Sequence, residues 1–188
     1  MIKKIFKAFT FFALIQLIIF SCCNNAFNVY YKSINFIAID ANDFDSTTVN
    51  NEDLQFNLNF IYDYIQISKV NELKQFSNAA YATSCDDEYF FRDTAQSITI
   101  ISNETIFNIE AGESLNEFFN FINPDTFEQK TIEEMINFLN NQNGYSISSL
   151  TLILNENIPS STTLLFSINM DLDRNRILES TTDLITIE

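Results

Sequence analysis

The sequence predicts a mostly β fold, an antiparallel β-sandwich with a short two-helix insertion, for which an immunoglobulin-like arrangement is one form. Three observations carry this. Apolar and polar residues alternate in six or so separate segments, the mark of sheets with one buried face. The helical period appears only between about residues 113 and 143. With two glycines and two prolines in 188 residues, turns fall to Asn, Asp and Ser, which tolerate left-handed backbone or bond back to it.

The first strand is marked by Ile34, Phe36 and Ala38. The clearest alternation follows at Leu54, Phe56, Leu58, Phe60 and Tyr62, with Gln55, Asn57, Asn59 and Ile61 between them. The period of two returns at Ile98 and Ile100. Leu115, Phe118, Phe119 and Ile122 then fall at i, i+3, i+4, i+7 behind Ser114 and Glu117, spaced as a capping box, which predicts a first helix. A second helix is predicted after Pro124. Thr131 and Glu134 form its capping box, Ile132, Met135, Ile136 and Leu139 its apolar stripe, and Gly144 is placed to stop it. Strands resume at Leu150, Leu152, Leu154 and at Leu164, Phe166, Ile168, Met170, and the last runs from Leu184 to Glu188. Residues 41–53 and 83–88 read as loops, too short for domain linkers, and no internal repeat is present.

Residues Met1 to Ser21 carry Lys3, Lys4 and Lys7, no acid, and an apolar run from Ala8 to Phe20 broken by Thr10 and Gln16. This is the charged n-region and apolar h-region of an export signal. The run is shorter than the roughly 18 to 20 residues that span a bilayer as a helix. Ile19, Phe20, Ser21 and Cys22 resemble the lipobox of bacterial lipoproteins. That resemblance implies a diacylglycerol thioether on Cys22, which becomes the mature N-terminus, and several acyl chains make a stable anchor. The expected organisation is a signal peptide at 1–21, a lipidated tether at 22–28, and one sandwich domain at 29–188 with the insertion at about 113–143. The expected location is a bacterial membrane, the outer membrane favoured, with the periplasmic or surface face left open.

Composition removes several chemistries. The leader takes three of the ten basic residues and no acid, leaving seven against 25 acids and a mature net charge of −18. Such a chain repels nucleic acid and anionic headgroups, so a tether has to come from lipid. There is no histidine, which removes imidazole triads and the commonest metal ligand. No lysine stands three residues after a serine, so the Ser/Lys pair of penicillin-recognising enzymes is missing. Tryptophan is absent too, which weakens glycan stacking.

Three groups of residues are candidate sites. Asp171, Asp173 and Asn175 have the 1, 3, 5 spacing of a calcium loop, with Glu179 and Thr182 at positions 9 and 12. Arg176, however, stands where such a loop needs glycine, and a solvated hairpin turn accounts for the same residues. Carboxylates gather at Asp86, Asp87, Glu88 and at Glu133, Glu134, where a polar loop and a favourable charge at a helix start explain them without glycosidase chemistry. Among Tyr30, Tyr31, Tyr62, Tyr64, Tyr81, Tyr89, Phe90 and Phe91, the run Tyr89-Phe90-Phe91 beside the acidic loop is the candidate binding patch, against a background of aromatic packing. Once Cys22 is lipidated, Cys23 and Cys85 are the pair available for a disulfide in an oxidising compartment.

The paired Cys22 and Cys23, the isolated Ser84 and Cys85, the Glu113-Ser114-Leu115-Asn116 helix start and Thr181 among the closing strands make the body similar to a family of Bacteroidetes-type exported lipoproteins of unknown function. The resemblance implies a mostly β domain and carries no catalytic residues; Arg176 departs from the glycine common in that family's final hairpin. The expected function is a membrane-anchored, non-catalytic binding or assembly module, without cofactor, whose partner is an envelope protein or a glycan. The alternatives are a glycan-binding or glycan-processing lipoprotein and a calcium-stabilised adhesion domain.

Overall fold

The computed structural model describes residues 26–40, 48–67, 88–142 and 146–188. Cys22, Cys23, Cys85, Tyr81, Asp86, Asp87 and Gly144 lie outside the described residues. The chain divides into two compact units. The smaller is Met1–Asn28 with Ile65–Phe90, and the larger is Val29–Tyr64 with Phe91–Glu188. The described part of the smaller unit contains strand ends, where the rings of Phe27 and Tyr89 stack with centroids 5.6 Å apart.

The fold is mostly β. Its strands are β1 (Ala26–Asp40), β2 (Thr48–Val49), β3 (Leu54–Ile67), β4 (Glu88–Phe91), β5 (Ala95–Ser102), β6 (Phe119–Ile122) and β7 (Gln129–Thr131), followed by helix α1 (Ile132–Asn140). After α1 come β8 (Ser149–Leu154), β9 (Thr163–Leu164), β10 (Phe166–Leu172), β11 (Arg176–Thr181) and β12 (Ile185–Ile187). They form a six-stranded sheet in the order β4-β1-β3-β8-β6-β7 and two three-stranded sheets, β11-β10-β5 and β2-β12-β9.

In the larger unit the expected sandwich is present. Alternation sends Phe56 and Leu58 of β3, Phe119 and Phe121 of β6, and Leu150 and Leu152 of β8 to one side, where all are buried. From the facing sheet come Ile98 and Ile100 of β5 and Phe166, Ile168 and Met170 of β10. Phe166 packs edge-on against Phe56 and Phe119, with centroids 5.0 and 5.7 Å away, so the two sheets meet through aromatic rings.

One of the two expected helices is absent. The stretch after Ser114 makes a 3-10 turn at Asn116–Phe118 and then enters β6. The inward residues are Leu115, Phe119 and Phe121, so a period of two from Phe119 to Phe121 prevails over the i, i+3, i+4, i+7 reading. The physical reason is pairing: Phe119 to Ile122 lie opposite Leu154 to Thr151 of β8, a ladder partner that a helix shorter than about 12 residues cannot match. The Ser114 box is likewise absent, for the turn has no side-chain cap. At α1 the expected box forms, Thr131 Oγ1 accepting from Glu134 N and Glu134 returning to Thr131 N. The 41–53 loop also changes: Thr48 and Val49 form β2, parallel to Thr186 and Ile187 of β12.

Asparagine amides take the place of missing strands. On the outer edge of β5, Asn116 donates to Ile98 O at 2.6 Å and accepts from Ile100 N at 2.9 Å. Asn140, the last residue of α1, does the same for Ala95, at 2.8 and 2.9 Å. Asn51 pairs in this way with the N–H and C=O of Ile158. Each carboxamide offers one donor and one acceptor side by side, as a neighbouring peptide would, which satisfies peptides on the edge of β5 and, at Ile158, a peptide of the connection from β8 to β9.

Candidate functional site

Three features of the larger unit stand out, beginning with a buried ionic cluster. The inward phase of β1 shifts between Tyr31 and Ile34, both buried, which leaves the Tyr31 peptide off the regular pattern. Side chains satisfy it. Asp93, on the connection from β4 to β5, accepts from Tyr31 N at 2.8 Å, and Arg176 donates to Tyr31 O and to Asp93 Oδ2, the latter at 2.8 Å. The Asp93 side chain is 1% exposed and its Oδ1 has no hydrogen-bond partner. Beside the cluster lie the rings of Tyr31, Phe60, Tyr62 and Phe91. Burial pushes the Tyr31 phenol up to about 12, against a lowering bond with Tyr62, and burial also raises Tyr62, which donates to Ile147 O at 2.8 Å.

The second feature is an open cleft of about 620 Å³ at the ends of α1, β6 and β8, lined by Pro124, Asp125, Phe138, Asn141, Gln142 and residues 146–149. Amides and hydroxyls dominate its polar groups, and Asp125 is the one carboxylate in that lining. In the same turn Phe127 is 82% exposed at a φ of 59°, a left-handed conformation that a bulky side chain adopts at a cost of about 1 kcal/mol.

The third is the outer face of the large sheet. The register places Gln129, Ile122, Thr151 and Asn57 in one row across β7, β6, β8 and β3, and Thr131, Asn120, Ile153 and Gln55 in the next. None of the eight carries a charge.

The expected site residues are not brought together. In the calcium candidate, Asp171 Oδ2 accepts from the Ser97 hydroxyl at 2.5 Å. Asp173 accepts from Thr94 N at 3.3 Å and lies 3.6 Å from Arg174 Nε. Asn175 stands in the hairpin turn at a φ of 58°, Glu179 lies on β11 opposite Asn169, and Thr182 Oγ1 accepts from Phe166 N at 3.0 Å. Among the described residues no group of three or more Asp, Glu or Cys could hold a metal ion. Arg176, a misfit in that loop, is the partner of Asp93. In the aromatic candidate, Tyr89 and Phe90 are 38% and 41% exposed and belong to the smaller unit, whereas Phe91 belongs to the larger and meets Tyr62 edge-on at 5.8 Å. Glu133 and Glu134 occupy the first turn of α1, as their bland reading had it.

Sequence reasoning missed the Asp93–Arg176 pair, for 83 residues separate the two and neither stands in a motif. It also passed over the uncharged patch on the large sheet, whose signal was present in the residues between the apolar ones, Gln55, Asn57 and Asn59. The fold and its surfaces thus define a mostly β sandwich with an amide-rich patch on its outer face and an open cleft of mixed apolar and polar lining. Comparison with protein-family models, with curated proteins and with solved structures finds no match.

Proposed function

We propose that this chain is an exported lipoprotein, held to a bacterial membrane through lipid on Cys22, whose sandwich serves as a non-catalytic binding or assembly module of the cell envelope. The observation that carries the anchorage is the Ile19-Phe20-Ser21-Cys22 run behind a leader with three lysines and no acid. The binding role draws on the open cleft. Its described lining sets apolar surface from Pro124, Phe138 and Ile147 beside neutral donors and acceptors, a mixture that suits recognition of a ligand. The partner is an envelope protein or a glycan, and the outer membrane is the favoured location.

Metabolic labelling with a fatty acid tests the anchor. The wild-type chain takes up label and Cys22→Ser accumulates as an unprocessed, lipid-free precursor; equal label in both would remove the lipobox reading. We also assign Cys23 and Cys85 to a disulfide that closes a loop of about 60 residues, with a chain-entropy gain of about 4 kcal/mol. Peptide mapping without reduction yields a linked peptide that disappears on reduction, and free alkylation of both thiols would end that assignment.

A further inference from the structure

An uncharged patch on the outer face of the large sheet is the surface that best fits a defined ligand chemistry. The formal net charge is −15, with 25 acids in 188 residues, yet Gln55, Asn57, Asn120, Ile122, Thr151 and Ile153 form two adjoining rows without one. All six are half-buried, as side chains on an open face of a sheet are. The facing sheet of the same unit differs. Its outer side carries Asp171 on β10 and Glu179 on β11. On the large sheet charge returns farther along β3, in phase with Asn57, at Asp63, which pairs with Lys32 of β1 at 3.3 Å, so the two rows are an uncharged patch within that face. Along that face carboxamides and hydroxyls alternate with isoleucines across neighbouring strands about 4.8 Å apart.

We propose that this face binds a neutral, hydroxyl-rich polysaccharide. A neutral glycan presents hydroxyls that both donate and accept, which carboxamides and a threonine hydroxyl match in kind. It also presents patches of C–H, which Ile122 and Ile153 match. An anionic polymer meets the repulsion of the remaining surface, and a basic protein finds no carboxylate in these rows to pair with. The inference deepens the proposed binding role and rests on it, naming the class of ligand.

Affinity gel electrophoresis of the full chain, solubilised in detergent, tests it. The probes are galactomannan, mannan, xyloglucan and mixed-linkage glucan, with polygalacturonate and hyaluronate as acidic counterparts. At least one neutral polymer retards the chain and neither acidic one does. Asn57→Asp with Thr151→Asp weakens that retardation about tenfold, two hydrogen-bonding groups being replaced by charge, while the melting temperature of the variant shows that it folds. Glu179→Gln on the other sheet leaves the retardation unchanged. The proposal is overturned if no neutral polymer retards the chain, if the acidic polymers do so equally, or if the double variant binds as well as the wild type. A dimer that Asn57→Asp dissolves would give the face to a second copy and overturn it too. Fatty-acid labelling is read separately, so loss of the glycan result leaves the anchor standing, and the reverse.

Discussion

Asn116 and Asn140 do at single positions what a further strand would do for β5, and each holds one donor and one acceptor of the backbone. Asn116→Ala removes two hydrogen bonds and strips partners from a part-buried edge, which lowers unfolding stability by about 2 kcal/mol in a urea titration. Asn116→Asp keeps the acceptor for Ile100 N but sets a carboxylate oxygen against Ile98 O, so it costs at least as much. Arg176 has a different effect. It touches a carboxylate that is 1% exposed, so Arg176→Met leaves that charge buried without its partner and costs about 3 kcal/mol. Adding Asp93→Asn recovers part of the loss in a double-mutant cycle, and purely additive effects would show that the two are not coupled. The abundance of asparagine was visible in the sequence, but which amide faces which peptide depends on strands brought together across 16 to 107 residues.

At the scale of the element, α1 follows its local signals because its cap lies within one turn. Hydrogen bonding from the Thr131 backbone and hydroxyl, with Lys130 nearby, holds the Glu134 carboxyl below its ordinary 4.5. A lowered carboxylate contributes stability above the ordinary value and loses it as the pH falls through the folded one. The difference in melting temperature between wild type and Glu134→Gln is therefore present at neutral pH and closes below about pH 4. In the β10–β11 hairpin Asp171 and Asp173 are committed to Ser97, Thr94 and Arg174. Millimolar calcium accordingly shifts the melting temperature little, and a rise of many degrees abolished by Asp171→Ala would restore the adhesion reading. The segment from Leu115 to Ile122 shows the limit of local signals. Its five apolar residues suit a helix and a strand alike, and β8 as a partner decides between them.

Across the larger unit, buried phenols limit the stable range on the alkaline side. Tyr31 is pushed from 10 to about 12 by burial, and Tyr62 is raised with it. A raised phenol stays neutral in the folded state while the unfolded chain ionises, so its contribution is complete below pH 10 and is lost as pH approaches 12. That displacement at Tyr31 corresponds to about 3 kcal/mol. Unfolding followed by circular dichroism steepens between pH 10 and 12, and Tyr31→Phe flattens that slope; an unchanged slope would place the alkaline sensitivity elsewhere.

Local alternation and contacts a few residues apart were enough to read the mostly β class, the phase of β1 from Ile34 to Ala38 and of β3, β5, β8 and β10, and the cap of α1. The tertiary structure decided the strand orders, the conversion of Phe119–Ile122 to a strand, the parallel β2–β12 pair, the Asp93–Arg176 clasp and the gathering of Asn57, Thr151, Ile122 and Asn120 on one face. Each of these is a pairing between distant segments. Alternation states which way a side chain points, whereas the neighbour across the sheet follows only when the strands meet.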